Sequence, residues 1–254
     1  MSVRIEVNGR AVGAEMTWLA ASSFGHFTAM QVRNGTTRGL DLHLDRLEAA
    51  NRELFGVGID AARVRELIRH ALADTEDASV RVYVRELDGD AEPAIVVTVR
   101  GPATIASPQR LMSVDYQRPA AHLKHLATEQ AFHTRAARRA GYDDALLTDG
   151  FDLVSESATA NIGFFDGGAV VWPDAACLHG ITLQLLRREL VRRGIEVRRE
   201  RVRVNELDRF DGAFLSNARG IAAVIAIDRL ELPVHPERMD LLASAYTAVA
   251  PDRI

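Results

Sequence analysis

The stretch from Ser79 to Leu87 alternates without interruption, with Val80, Val82 and Val84 on one side and Arg81, Tyr83 and Arg85 on the other. A period of two means a strand with one face in a core and one face polar. Such a face needs a sheet, and a neighbour follows at once: Asp88-Gly89-Asp90 is a turn signal, and Ile95 to Val99 is a second, more uniformly apolar strand. Around this hairpin the period changes. Leu44, Leu47, Ala50 and Leu54 recur at helical spacing, which predicts a helix over about 42–55 with Asp41 as its cap. Val64, Leu67, Ile68 and Leu72 predict another over about 61–73. Earlier strands are expected at Val3 to Val7, over 18–21 and at Phe27 to Arg33, the last ending at the Asn34-Gly35 turn.

Gly101-Pro102 to Pro108 reads as a link between domains. Beyond it, strands are expected at Leu111 to Tyr116, Ala145 to Thr148, Asn161 to Phe165, Val170 to Trp172, Glu196 to Val202, Ala213 to Ser216 and Ile221 to Ile227. Helices are expected over about 128–140, 181–193 and 236–249. The fold class is therefore α+β, with a small domain over 1–105 and a larger one over 106–254.

Composition limits function. The net charge of −4 offers no basic stripe for nucleic acid. No 18-residue apolar run suggests a membrane span, and Met1-Ser2-Val3-Arg4-Ile5-Glu6 lacks the core of a signal peptide. Cys177 is the only cysteine, so neither a disulfide within the chain nor a cysteine-rich zinc site is expected. A cytoplasmic protein is the expectation. His122 and His125 stand three apart, but no cysteine or carboxylate nearby completes a ligand set, so no metal is expected.

Of the 31 basic residues, 30 are arginine, and Lys124 is the single lysine. A codon bias toward arginine explains the ratio without explaining the survivor. Arginine cannot replace lysine where chemistry needs an amine that loses its proton. Lys124 is thus a candidate Schiff-base residue. A pyridoxal-phosphate site also asks for an acid beside the pyridine nitrogen and for a helix N-terminus or cation to hold phosphate. Glu156 follows 32 residues after Lys124 in Ser155-Glu156-Ser157-Ala158-Thr159-Ala160-Asn161, and Gly180-Ile181-Thr182 opens an amphipathic helix.

With Asp143-Asp144-Ala145-Leu146-Leu147-Thr148-Asp149 and the two stretches just named, the chain resembles the class IV aminotransferases, the fold-type IV pyridoxal-phosphate enzymes, from about Phe24 to Ile227. That family holds branched-chain and D-amino-acid aminotransferases, (R)-amine transaminases and 4-amino-4-deoxychorismate lyase. The resemblance implies two domains like those of D-amino-acid aminotransferase, with pyridoxal 5'-phosphate in the cleft between them, and a homodimer. It implies Lys124 as the Schiff-base residue and proton shuttle, and Glu156 on the pyridine nitrogen. Arg46, Asn161, Gly180, Ile181, Thr182, Ser216 and Asn217 become the remaining cofactor contacts.

For substrate, the resemblance points to Phe27, Thr28, Arg81, Tyr83 and Arg219. Thr28 in Gly25-His26-Phe27-Thr28 is similar to the lyase's Phe-Thr pair, and either faces substrate or is a plain strand residue. The Arg-x-His that holds the carboxylate in D-amino-acid aminotransferase is missing from the acidic loop Glu86 to Pro93. Recognition of a carboxylate then falls to Arg81, Tyr83, Arg85 or Arg219, or is not needed. The face of Arg81, Tyr83 and Arg85 either lines the site or meets solvent. Three activities remain open: amino transfer between an amino acid or amine and a 2-oxo acid, elimination of pyruvate from aminodeoxychorismate, and cofactor binding without catalysis.

Overall fold

The computed structural model describes residues 4–7, 9–11, 24–85, 93–126 and 129–254. The expected strand over 18–21, the Asp88-Gly89-Asp90 turn and most of the acidic loop over 86–93 lie outside them. By its contacts the chain forms two compact units. The first holds residues 1–103, 123–127 and 250–254, and the second holds 104–122 and 128–249.

The first unit is a sheet with two helices on one face. Strands β1 (Arg4–Val7), β2 (Arg10–Ala11), β3 (Gly25–Val32), β5 (Ala78–Arg85) and β6 (Ala94–Arg100) run in the order β2-β1-β6-β5-β3, every pair antiparallel. The register sets Val82 opposite Val97 and Thr28 opposite Val82, so Val80, Val82 and Val84 share one face with Met30 and Val99. That face is sealed by α1 (Leu40–Phe55) and α2 (Ala61–Leu72), through Leu47, Val64, Leu67 and Ile68. Asp60 caps α2, accepting the Ala62 N–H.

Helix α1 departs from the expected start. It begins at Leu40 after Gly39, which has no side-chain cap, and Asp41 lies inside its first turn. The Leu40 N–H donates instead to Asp252 Oδ2 at 3.1 Å, from the tail that pairs β16 (Asp252–Arg253) with β4 (Thr36–Thr37). No local pattern could reveal a cap from 212 residues away.

The second unit is built on one mixed nine-stranded sheet, in the order β12-β11-β10-β13-β14-β7-β8-β9 with β15 (Leu230–Glu231) beside β14. Its strands are β7 (Gln109–Asp115), β8 (Asp144–Thr148), β9 (Val154–Ser157), β10 (Asn161–Asp166), β11 (Ala169–Pro173), β12 (Val197–Glu200), β13 (Gly212–Asn217) and β14 (Gly220–Ile227). β7 runs parallel to both β8 and β14, and β11 parallel to β12; the other pairs are antiparallel. Helices α4 (Ile181–Arg192) and α5 (Pro236–Ala248) share a core with Phe165, Trp172 and Phe214, while α3 (Glu129–Arg139) packs Ala137 with Ala145 and Leu147. Strand β9 is an addition to the expected elements. Its four residues, all buried, are mostly polar, so no apolar pattern announces it. Among the described residues no helix is long and apolar enough to cross a membrane.

Candidate active site

Alternation along β3 sends Thr28 toward α1 and Phe27 to the opposite face. Thr28 is fully buried, and its Oγ1 accepts from Arg46 Nη2 at 2.6 Å. The same hydroxyl lies 2.7 Å from His43 Nδ1. His43 and Arg46 stand one turn apart on α1. Burial, then the charges of Arg46 and Lys124, hold the pKa of His43 well below its ordinary value. Arg46 Nη2, which can only donate, also lies 3.4 Å from His43 Nδ1, so that nitrogen is the accepting one of the neutral ring, and Thr28 donates to it while receiving from Arg46. Burial also draws Arg46 down to about 10, which leaves it charged at neutral pH. Its Nε is buried with no partner. Thr28 therefore has its hydroxyl committed on both sides and fixes the arginine.

Lys124 belongs to a short segment laid against the edge of β3. The Phe27 N–H donates to the Lys124 carbonyl at 2.9 Å, and the Leu126 N–H to Gly25 at 3.1 Å. The lysine is half-buried, with Nζ 4.8 Å from the centroid of the Phe27 ring. Phe27 in turn stacks on Tyr83 at 5.4 Å. The face that the alternation left polar thus carries Arg81, Tyr83 and Arg85 beside the chain's one lysine.

In the second unit, Glu156 lies buried on β9. Its Oε1 accepts from Arg118 Nε at 2.9 Å, and its Oε2 from the Leu178 N–H at 3.2 Å. Arg118 also donates to the Ala121 carbonyl. Burial, with the Glu156 charge second, pushes the nearby Cys177 thiol up to about 11, so it is an inert thiol at neutral pH.

Helix α4 starts behind Gly180, which supplies no side-chain cap. The first amides of such a helix favour an anion. Glycine is required there: a Cβ would stand 2.1 Å from Asn161 Oδ1. Asn161 is held in turn, its Nδ2 donating to the Leu178 carbonyl at 2.7 Å. Thr182 is buried and donates to the Asn217 carbonyl at 2.8 Å. Asn217 Nδ2 donates to the Thr159 carbonyl at 3.2 Å, and its Oδ1 accepts the Arg219 N–H at 2.8 Å. Ser216 Oγ is buried without a partner. Ile181 is buried at the helix start. Arg219 follows β13, and its carbonyl accepts the Ile105 N–H at 3.1 Å.

Thr159, which accepts from Asn217, hangs on one carboxylate that sequence reading passed over. Asp144 is 2% exposed. Its Oδ1 accepts from the Thr134 hydroxyl at 2.8 Å. Its Oδ2 accepts from the Ser157 and Thr159 hydroxyls at 3.0 and 2.7 Å, and from the Thr159 N–H at 3.1 Å. Asp144 thereby pins the turn between Glu156 and Asn161. Arg118 and His43 were likewise missed. The signal for Asp144 was present, an acid leading directly into the apolar run Ala145-Leu146-Leu147. Arg118, six residues before the lysine, gave no local sign.

Residues 25–227 match the family model described as amino-transferase class IV. The chain belongs to that family. A relative from Rickettsia felis, named a probable branched-chain-amino-acid aminotransferase, is 35% identical over 83 residues, which is 32% of this chain and 29% of the relative. That match thus spans less than a third of the curated relative's length. Among solved structures, a fold IV transaminase from Curtobacterium pusillum superposes with a TM-score of 0.86, covering 98% of this chain and 100% of that one at 21% identity. A Legionella pneumophila structure, provisionally assigned as a 4-amino-4-deoxychorismate lyase, gives 0.81 at 21% identity, over 91% of this chain and 93% of that one. Both superpositions show the fold: this class IV chain is a fold-type IV protein. The family uses pyridoxal phosphate.

Proposed function

We propose that the chain is a transaminase with pyridoxal 5'-phosphate as its cofactor, moving an amino group between an amino acid or amine and a 2-oxo acid. The observation that carries this reading is a pair of orphaned atoms. Arg46 Nε and Ser216 Oγ are buried without partners, and both belong to residues that the family resemblance assigns to the cofactor. A buried polar atom left unpaired is costly, and a phosphate oxygen satisfies either one. The uncapped start of α4 supplies amides of the same kind.

When bound, pyridoxal phosphate supplies an aldehyde for covalent capture of an amine and a pyridinium ring that withdraws electrons from the substrate's α carbon. In this reading Lys124 is the amine that captures the aldehyde. Lys124 Nζ would also take the substrate's α proton and later return it. Glu156 is anchored by Arg118 and the Leu178 amide, and by the family resemblance it would face the pyridine nitrogen. The family resemblance would give Arg46, Ile181, Thr182 and Asn217 to the phosphate, and Asn161, Gly180 and Ser216 to the cofactor as a whole. A cytoplasmic homodimer belongs to the same reading and is checked by fractionation and light scattering.

The test is spectroscopic. Protein loaded with pyridoxal phosphate absorbs in the visible, and borohydride fixes the cofactor on the peptide containing Lys124. An amino donor then bleaches the band, and a 2-oxo acid restores it. A protein that never takes up the cofactor defeats the proposal. The second reading rests on the likeness to the Legionella structure: release of pyruvate and 4-aminobenzoate from aminodeoxychorismate, with no acceptor added, marks a lyase instead.

A further inference from the structure

Between β3 and α1 the packing is apolar over much of its length. Met30 and Val32 on the strand share one core with Leu40 and Leu47 on the helix. One step along the strand the same interface turns polar. Thr28 is fully buried and His43 nearly so. Polar groups in such a place cost free energy unless they are hydrogen-bonded. Valine in place of Thr28 would fill the same volume and leave no hydroxyl to satisfy.

The bonds made there run in one direction. Arg46 can only donate, and its Nη2 gives a hydrogen to Thr28 Oγ1 at 2.6 Å. The hydroxyl has one hydrogen of its own and passes it to His43 Nδ1 at 2.7 Å. His43 ends the chain as an acceptor, and its Nδ1 also stands 3.4 Å from Arg46 Nη2. The guanidinium is thus gripped at one nitrogen, while its Nε remains buried with no partner.

A neighbouring polar contact shows the difference. His26, two residues earlier on β3, also reaches α1, with Nε2 3.3 Å from Asn51 Oδ1. Asn51 Nδ2 then donates to the carbonyls of Val57 and Gly58 at 3.0 and 3.3 Å. That contact fastens the end of the helix to the loop after it and makes no bond to Arg46. The Thr28 and His43 contact is spent on the arginine itself.

We infer that His43 and Thr28 are positioning residues for the cofactor's phosphate, acting through Arg46: Thr28 fixes the guanidinium, and His43 fixes the Thr28 hydroxyl. Thr28 then governs affinity for the phosphate and not the choice of substrate. An arginine already held in place loses less side-chain freedom when the anion arrives. The inference rests on the reading that gives Arg46 to the phosphate.

The experiment measures the dissociation constants of pyridoxal 5'-phosphate and of pyridoxal for protein stripped of cofactor, by the visible absorbance that appears on binding. The two probes differ only in the phosphate, so the ratio of their constants isolates its contribution. His43→Leu and Thr28→Val each lower the ratio about tenfold, the scale of ordering one long side chain on binding. The double variant loses no more than either single one, because both break the same chain of bonds. Thr28→Ser keeps a hydroxyl, and His43→Asn offers an amide oxygen near the place of Nδ1, so each retains part of the ratio. His26→Leu, which loosens the same helix without reaching Arg46, leaves the ratio unchanged. An unaltered ratio in His43→Leu and Thr28→Val overturns the inference, and so does an equal fall in His26→Leu, the mark of a role in packing alone. Should His43→Leu fail to fold, Thr28→Val, which keeps the shape of the side chain, decides by itself. Arg46→Met separates the two readings. A ratio lost there but intact in the His43 and Thr28 variants leaves Arg46 on the phosphate and removes the inference. A ratio intact in Arg46→Met removes the phosphate reading, and the inference with it.

Discussion

Arg118 Nε donates to Glu156 Oε1 at 2.9 Å, and both side chains are almost fully withdrawn from solvent. Removing one member of a buried pair strands the other's charge, a loss of about 3–5 kcal/mol. Arg118→Met should lower stability by that amount in urea titration, while adding Glu156→Gln to it recovers part. A single Arg118→Met variant as stable as the parent shows that the pair is not the clamp on Glu156.

Asp144 accepts four hydrogen bonds, from three hydroxyls and one amide. Asp144→Ala leaves them unanswered inside the fold, and a cost of about 3 kcal/mol or more is expected. Asp144→Asn keeps one carbonyl acceptor and loses less. Because Thr159 holds Asn217, the alanine variant should also bind pyridoxal phosphate more weakly. Denaturation curves and cofactor titration together check this; intact affinity in a destabilised variant would confine Asp144 to a purely structural role.

Gly180 has no room for a methyl group, since the Cβ would lie 2.1 Å from Asn161 Oδ1. Gly180→Ala should cost about 1–3 kcal/mol from overpacking and weaken cofactor binding. Pairing it with Asn161→Ala removes the clash, so the double variant should be no less stable than Asn161→Ala alone. Non-additivity of this sign is readable from thermal or chemical unfolding.

Two buried histidines predict a dependence on pH. Burial lowers His26 to about 4, and burial with nearby cations holds His43 well below its ordinary value. The unfolded chain takes up protons near pH 6.5 and the folded chain does not, so stability is full above that value and falls with acidification. Each histidine contributes a slope of up to about 1.4 kcal/mol per pH unit below 6.5. His43→Gln should flatten the decline between pH 6.5 and 4.5, measured by urea midpoints. An unchanged slope would remove His43 from the account.

Much of the frame was legible in the residue order. The strict alternation of Val80, Val82 and Val84 against Arg81, Tyr83 and Arg85 gives both the strand and its two faces, and the helical spacing of Val64, Leu67 and Ile68 gives α2 with its buried side. Periodicity is a local property, so it survives without tertiary knowledge. Strand β9 escaped because three of its four buried residues are polar, with Ser155 donating to the Leu147 carbonyl and Ser157 to Asp144.

The sequence alone determined the family and singled out Lys124, its one lysine, as the candidate amine. Tertiary structure decided what holds the side chains. Arg118 on Glu156, Asp144 beneath Thr159, Thr28 between Arg46 and His43, and Lys124 laid beside β3 join residues up to 38 positions apart or across a strand edge. A hydrogen bond depends on where two groups meet in space, and a buried charge is tolerated only where that meeting occurs. Position in the chain carries no record of either.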